Sequence, residues 1–244
     1  MIVLNNVTKQ YAEHDALKRL TLTIPSGSFF VLVGPSGSGK TTLLNLLNRL
    51  EEPTSGTISI DGQDIREEPL RALRLRTGYV LQQIALFPNL TVAENIALVP
   101  HMKKRHAKEI ETRIDEWLEK AGLAPAAYRS RYPRELSGGE QQRVGILRAI
   151  VGDPSVLLMD EPFSALDPIS RSQLQSFIKA IHGALSMTTV FVTHDMNEAL
   201  LLGDTICVMK SGEIVQVGTP DAIRDHPAND FVRHFFEAGG ERLA

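Results

Sequence analysis

Gly34-Pro35-Ser36-Gly37-Ser38-Gly39-Lys40-Thr41 fits the pattern G-x-x-x-x-G-K-[ST] without a gap. A triphosphate needs several backbone N–H donors turned inward, and only glycines let a chain curl that closely. Lys40 has the reach for the outer phosphates, and the Thr41 hydroxyl is a ligand for Mg²⁺. A helix starting near Lys40 and running through Thr42 offers its positive end to the same anion. A second group of reactive residues closes the run Val156-Leu157-Leu158-Met159-Asp160-Glu161. An apolar strand ending in two carboxylates places Asp160 to hold that Mg²⁺ and Glu161 to orient and activate water beside the γ-phosphate. The bland alternative is a pair of solvated loop carboxylates.

Two further sites admit two readings each. In Leu136-Ser137-Gly138-Gly139-Glu140-Gln141-Gln142-Arg143, Ser137 and Glu140 make a capping box. An ordinary cap does not need two consecutive glycines, however, and Gly138-Gly139 at a helix start would leave donors facing an anion. His194 follows the apolar run Thr189–Thr193. A lone histidine at a strand end is usually structural, but at the carboxyl edge of a parallel sheet it could contact the γ-phosphate.

These groups need a sheet and helices to hold them. Phe29–Val33 is a short apolar run suited to a buried parallel strand, and Leu43, Leu44, Leu46, Leu47 and Leu50 recur at helical spacing after the glycine-rich loop. Met1–Ile24 alternates as an antiparallel sheet does, with Tyr11 as either an edge-strand aromatic or a platform for a nucleobase. Thr57–Ile60 lies between turn residues and reads as a hairpin strand, and Gly78–Gln82 as a strand ending in a polar amide. Ile84, Leu86 and Phe87 follow in a non-helical stretch that either covers helices or meets a partner. Thr91 and Glu94 form a capping box for a helix through about Leu98, and residues 105–121 make an amphipathic helix with Ile110, Ile114, Trp117, Leu118 and Ala121 on one side. Helices are also expected after Pro168 through Leu185 and at the C-terminal end.

The 244 residues carry a net charge of −3, with 43% hydrophobic and 23% charged residues. That balance is ordinary for a globular protein and gives no basic footprint for nucleic acid. Cys207 is the lone cysteine, expected as buried filler, and it excludes an intrachain disulfide. No run approaches 18 apolar residues and the start has no signal-peptide pattern, so a cytosolic protein is expected.

Taken together, these residues resemble the ATPase subunits of ATP-binding-cassette (ABC) transporters. GPSGSGKT is similar to that family's Walker A, LSGGEQQR to its signature, and VLLMDEP to its Walker B with catalytic glutamate. The stretch Ser164–Asp167 resembles its D-loop, with Asp167 at the nucleotide; Gln82 resembles its Q-loop residue, a Mg²⁺ contact, and His194 its switch histidine. Tyr11 matches its adenine-stacking aromatic. The resemblance implies an α/β fold with a RecA-like P-loop core, an antiparallel β subdomain and an inserted α-helical subdomain. Residues 1–87 and 153–244 would form the core with its β subdomain, and 88–152 the helical subdomain. It also implies ATP and Mg²⁺ as ligands and a head-to-tail dimer with two ATPs. Each ATP would lie between the Walker A of one copy and Ser137, Gly138 and Gly139 of the other. The expected partners are a transmembrane permease subunit and a substrate-binding protein, with the chain peripheral on the cytoplasmic side of the inner membrane.

Within the family, NRLEEPTSGTISIDGQDI, GYVLQQIALFPNLTVAENIALVP, RYPRELSGGEQQRVG and DEPFSALDPISR look like importers of osmoprotectants and other quaternary amines (glycine betaine, carnitine, choline). Many such chains continue into tandem CBS modules, whereas this sequence stops at Ala244; Ile146-Leu147 replaces smaller residues before Arg148-Ala149. Importers of other solutes such as amino acids or polyamines, and exporters, are the alternatives. A soluble ABC ATPase of DNA repair or translation would need a second cassette or a coiled-coil insertion, and a small-molecule phosphotransferase has no use for LSGGE.

Overall fold

A computed structural model describes residues 1–164 and 166–240 of the chain. Ala165 of the D-loop-like stretch and the last four residues of the expected domain lie outside the described residues. The chain forms two compact units: residues 1–73 with 187–244, and residues 74–186.

The first unit opens with strands β1 (Ile2–Tyr11) and β2 (His14–Ile24), then β3 (Phe29–Val33), helix α1 (Lys40–Leu47), β4 (Ser55–Ile60) and β5 (Gln63–Asp64). Four of these strands make an antiparallel sheet in the order β2-β1-β4-β5. Its inner face carries Ile2, Leu4 and Val7 opposite Ile24, Leu22 and Leu20. The alternation slips between Leu4 and Val7 at a register shift where Asn6 takes a φ of 49°. The shift returns Val7 to the core side after an extra residue, as a β-bulge does. Strand β3 is buried along its whole length, which fits its place between parallel neighbours.

Helix α2 (Leu70–Arg76) leads into the second unit, which holds β6 (Thr77–Val80), α3 (Val92–Met102), α4 (Ala107–Lys120), α5 (Pro125–Tyr128), a 3-10 turn (Pro133–Glu135), α6 (Gly138–Ile150), β7 (Val156–Asp160) and α7 (Pro168–Ala184). β6 and β7 pair in parallel. Ile110, Ile114, Trp117 and Leu118 form the buried stripe of α4, as the periodicity predicts. Ile146 and Leu147 are fully buried on α6, so the departure from smaller residues there is absorbed by packing. The chain then returns to the first unit through β8 (Thr188–Thr193), α8 (Met196–Leu202), β9 (Thr205–Lys210), β10 (Glu213–Gly218), α9 (Pro220–Asp225) and α10 (Asp230–Gly240). There β8 and β9 flank β3 in parallel, and β10 folds back on β9 antiparallel.

Several boundaries differ from the sequence reading. Helix α1 ends at Leu47, and Leu50 is 49% exposed. Arg49 turns the chain there at a φ of 47° and donates to the carbonyls of Ile65 and Glu68. Strand β6 stops at Val80, where its pairing with β7 ends, and leaves Leu81 and Gln82 outside the sheet. Helix α3 runs past Leu98 to Met102 with Pro100 inside it. Pro100 lacks an N–H, but in the last turn it removes a single helical hydrogen bond while its ring is buried. Helices α2, α5 and α8 were not anticipated.

Candidate nucleotide site

The glycine-rich loop lies between β3 and α1 and is shaped by neighbours within its own unit. A Cβ on Gly34 would meet the Met209 carbonyl oxygen at 2.2 Å. At Gly39, where φ is +98°, a Cβ would lie 2.6 Å from the Ala16 oxygen and 2.7 Å from Leu17 Cδ2. The Gly212 N–H donates to the Ser38 carbonyl at 3.2 Å, and the Lys18 N–H to the Gly212 carbonyl at 2.9 Å. β2 and the β9–β10 turn thus form the loop's rear wall, which only glycine can approach so closely. Lys40 is 4% exposed, and its Nζ donates to the carbonyls of Gly34 at 2.7 Å and Pro35 at 2.9 Å. No acidic residue occupies the first turn of α1. An ammonium, a helix N-terminus and a glycine-lined loop converge here, an arrangement suited to an anion with several oxygens.

Tyr11, at the end of β1, lies in the same unit and is 42% exposed. Its hydroxyl donates to Glu51, which also receives Lys9 Nζ at 3.1 Å and Asn45 Nδ2 at 3.2 Å. Burial, then the Glu51 carboxylate, pushes the Tyr11 phenol up, while a hydrogen bond with Thr42 pulls the other way. The Lys9 ammonium lies 4.8 Å from the ring centroid. Glu51 therefore fixes an exposed aromatic ring beside the start of α1. Sequence reading did not single out Glu51, because its partners come from β1 and α1.

His194 belongs to this unit too, exposed on the turn between β8 and α8. Three residues that sequence reading did not single out for a role, Thr193, Asp195 and Glu198, hold that turn. The Thr193 hydroxyl donates to the buried Glu198 carboxylate at 2.5 Å and accepts from the Asp195 N–H at 3.0 Å. Asp195 in turn caps α8 through the Asn197 N–H at 2.8 Å. The spacing D-x-x-E was a legible helix-start signal. Cys207 is fully buried in β9, and burial pushes its thiol up to about 12, so it is inert filler.

The second unit gathers the other predicted residues. Asp160 closes β7 and is 4% exposed. Burial, then the charge of Asp160, pushes the Tyr79 phenol well up. Glu161 takes a φ of 42°, a left-handed turn uncommon for a side-chain-bearing residue and frequent at functional sites. Its carboxylate lies 3.5 Å from Gln82 Nε2, so these two predicted residues meet. Ser137 caps α6 with the reciprocal box its sequence predicts: the Glu140 N–H donates to Ser137 Oγ at 3.4 Å, and the Ser137 N–H to the Glu140 carboxylate at 2.7 Å. A Cβ on Gly139 would meet Ser170 at 3.3 Å, while Gly138 faces open space. Asp167 caps α7, accepting from the N–H groups of Ile169 and Ser170 at 3.0 Å each. Hydrogen bonds with Ser170 hold its carboxyl below the usual range.

The stretch from Gln82 to Leu90 is shaped by buried polar groups that sequence reading also missed. Asn95, fully buried on α3, accepts from the Phe87 N–H at 2.9 Å and donates to the carbonyls of Phe87, Leu90 and Thr91. Arg148 donates to the Ala85 carbonyl at 2.5 Å. Phe87 is left 51% exposed at the edge of an apolar groove lined with Leu75, Tyr79, Leu98, Val99 and Met102.

The sequence matches the ABC transporter family over residues 17–164. The chain belongs to that family. It is 50% identical over 244 residues to the glycine betaine/carnitine/choline transport ATP-binding protein OpuCA of Bacillus subtilis (strain 168), a match covering all of this chain and 63% of OpuCA. It is 50% identical over 236 residues to the glycine betaine uptake system ATP-binding protein YehX of Escherichia coli (strain K12), covering 97% of this chain and 76% of YehX. The sulfate/thiosulfate import ATP-binding protein CysA of Mycobacterium bovis is 44% identical over 237 residues, 97% of this chain and 66% of CysA. Among solved structures, the dimeric post-hydrolysis state of the ATP-binding cassette MJ0796 bound to ADP and Pi aligns with a TM-score of 0.80 and 36% identity, over 90% of this chain and 99% of that one. The fold is therefore the ABC ATPase fold, mixed α/β with an antiparallel sheet and helices.

Proposed function

We propose that this chain is the ATP-hydrolysing subunit of an ABC importer for a quaternary-ammonium osmoprotectant such as glycine betaine, carnitine or choline. The observation that carries the nucleotide reading is the glycine-rich loop, with Lys40 Nζ held at its centre. The solute reading rests on the 50% identity to OpuCA and YehX over all or nearly all of this chain, which spans 63% and 76% of their lengths. The 44% identity to CysA supports a second reading, an importer of another solute.

The residues present fit Mg²⁺. The Thr41 hydroxyl, the buried Asp160 carboxylate and the Gln82 amide are the hard oxygen donors this cation takes. Bound there, it would neutralise charge on the outer phosphate oxygens. Lys40 would exchange its carbonyl partners for phosphate oxygens, the loop N–H groups and Thr42 would hold the remainder, and Tyr11 would stack on the base. Glu161 would take a proton from the attacking water, with Gln82 and His194 contacting that water and the γ-phosphate. We place the helical subdomain at 88–152 and assign it the role of presenting Ser137, Gly138 and Gly139 to the nucleotide of a second copy. MJ0796 forms a dimer with its nucleotide, which supports that arrangement. Asp167 would join the same interface. The Gln82–Phe87 stretch would meet a permease subunit on the cytoplasmic side of the membrane, with a substrate-binding protein delivering the solute. Among the described residues no helix is long and apolar enough to cross a membrane.

The test is ATPase activity of the chain reconstituted in liposomes with its permease and binding protein, against quaternary amines, sulfate, amino acids and sugars. Stimulation by one quaternary amine supports the solute class, and stimulation by another solute alone overturns it. Glu161→Gln should keep ATP binding and lower turnover by about 100-fold or more, the scale of losing a general base; steady hydrolysis by that variant would remove Glu161 from the mechanism.

A further inference from the structure

We propose that Tyr128 is a positioning residue for the Ser137-Gly138-Gly139 turn, acting through Glu140. This rests on the reading that the turn contacts the nucleotide of a second copy. The Tyr128 hydroxyl donates to Glu140 Oε1 at 2.6 Å, while Glu140 Oε2 accepts from the Ser137 N–H at 2.7 Å. One carboxylate therefore joins the end of α5 to the cap of α6. Burial alone would raise the Glu140 carboxyl, but hydrogen bonds from Tyr128 and Ser137 hold it below the usual range.

A capping box by itself fixes Ser137 only relative to its own helix. A glutamate at its position has several rotamers, and a box bound on one oxygen leaves the other free to turn into solvent. Tyr128 removes that freedom, because its own ring is held. The Arg131 guanidinium lies 4.4 Å from the ring centroid. Arg129, the next residue, reaches Asp115 at 2.5 Å and Glu111, both on α4. The Val92 and Ala93 N–H groups at the start of α3 donate to the carbonyls of Arg131 at 2.8 Å and Arg129 at 3.1 Å. The tyrosine thus ties the Ser137 cap to a segment that α3 and α4 already hold. A charge-assisted hydrogen bond of this length is the strong kind. Nothing in the LSGGE motif encodes it, since the partner lies outside the motif.

The test uses the full chain carrying Glu161→Gln, and compares it with the same chain carrying Tyr128→Phe in addition. Two quantities are measured: ATP affinity of the dilute monomer with a fluorescent nucleotide, and the dissociation constant of the ATP-dependent dimer by sedimentation. Tyr128→Phe keeps the ring on Arg131 and deletes only the hydroxyl. The expected result is unchanged monomer ATP affinity with a dimer constant weakened about tenfold, in line with loss of a hydrogen bond to a charged group. Glu140→Gln, read in the same assay, should weaken the dimer, and adding it to Tyr128→Phe should cost less than the two losses multiplied. A dimer constant within twofold of the parent, or monomer affinity falling in step with it, overturns the proposal. Should Tyr128→Phe not fold, Glu140→Gln alone decides by the same two quantities. If Glu161→Gln itself fails to dimerise with ATP, the head-to-tail reading falls and takes this role with it. A dimer that forms but ignores Tyr128 removes this role alone.

Discussion

Gly39 shows how a single position can serve both stability and ligand binding. Its φ of +98° strains any side chain, and its missing Cβ makes room for the Ala16 carbonyl. Gly39→Ala is expected to lower stability by about 1–3 kcal/mol and to weaken nucleotide binding, because relief requires moving β2 or the start of α1. Thermal unfolding with and without ATP checks both effects. Gly37, also in the left-handed region at a φ of +76° but with open space at its Cβ, separates the cost of backbone strain from that of the contact with β2. The motif made these glycines, Lys40 and Thr41 legible because a phosphate cradle is a local structure with few solutions. Glu51 and Asn95 were not legible. Each is a common polar residue whose task is set by partners brought in by folding, and no spacing rule marks it.

At the scale of elements, short stretches of backbone are aimed by caps and buried amides. Asn95→Ala would leave the Phe87 N–H without its acceptor, at a cost of about 1–3 kcal/mol, and should speed hydrogen exchange from Phe87 to Thr91. Phe87→Asp should leave ATPase activity of the isolated chain unchanged while abolishing solute-stimulated activity in liposomes; loss of basal hydrolysis would assign the loop to the fold instead. The two capping boxes also predict an acid dependence. Hydrogen bonds hold the Glu94 carboxyl, like that of Glu140, below the ordinary glutamate value of 4.5. A depressed carboxyl stabilises the fold above its unfolded value and loses that contribution as pH falls through its folded value. Stability should therefore drop below about pH 4.5 less steeply in Glu94→Gln than in the parent, by urea unfolding at stepped pH. Both caps were readable from S/T-x-x-E. The extents of α1 and α3 were not, because Leu50 keeps the helical rhythm without the helix and Pro100 sits in a helix that packing sustains.

For the whole molecule, the division into units decides what can be removed. The first unit is assembled from both ends of the chain, and β3 has β8 and β9 as its parallel neighbours. A chain ending at Ser186 would leave β3 without either, with its apolar edges exposed to aggregation. Such a truncation is expected to be insoluble or to lack nucleotide binding, as solubility and fluorescent-nucleotide titration would show. The sheet layers were legible from alternation and from continuous apolar runs. Which distant strands become neighbours was not, since β3, β8 and β9 are alike in composition.

The rear wall of the glycine-rich loop also bears on biosynthesis. Met209 and Gly212 emerge from the ribosome about 175 residues after Gly34 and Ser38, roughly 9–35 s later at ordinary elongation rates. During that interval the nascent chain displays its loop with β2 alone behind it, lacking the part of the rear wall that Met209 and Gly212 supply. Cellular ATP, which stabilises only a state that binds it, offers no protection until then. Slow translation across the β8–β9 region would lengthen this exposed period, and chaperone dependence would rise with it even though no residue of the finished protein had changed.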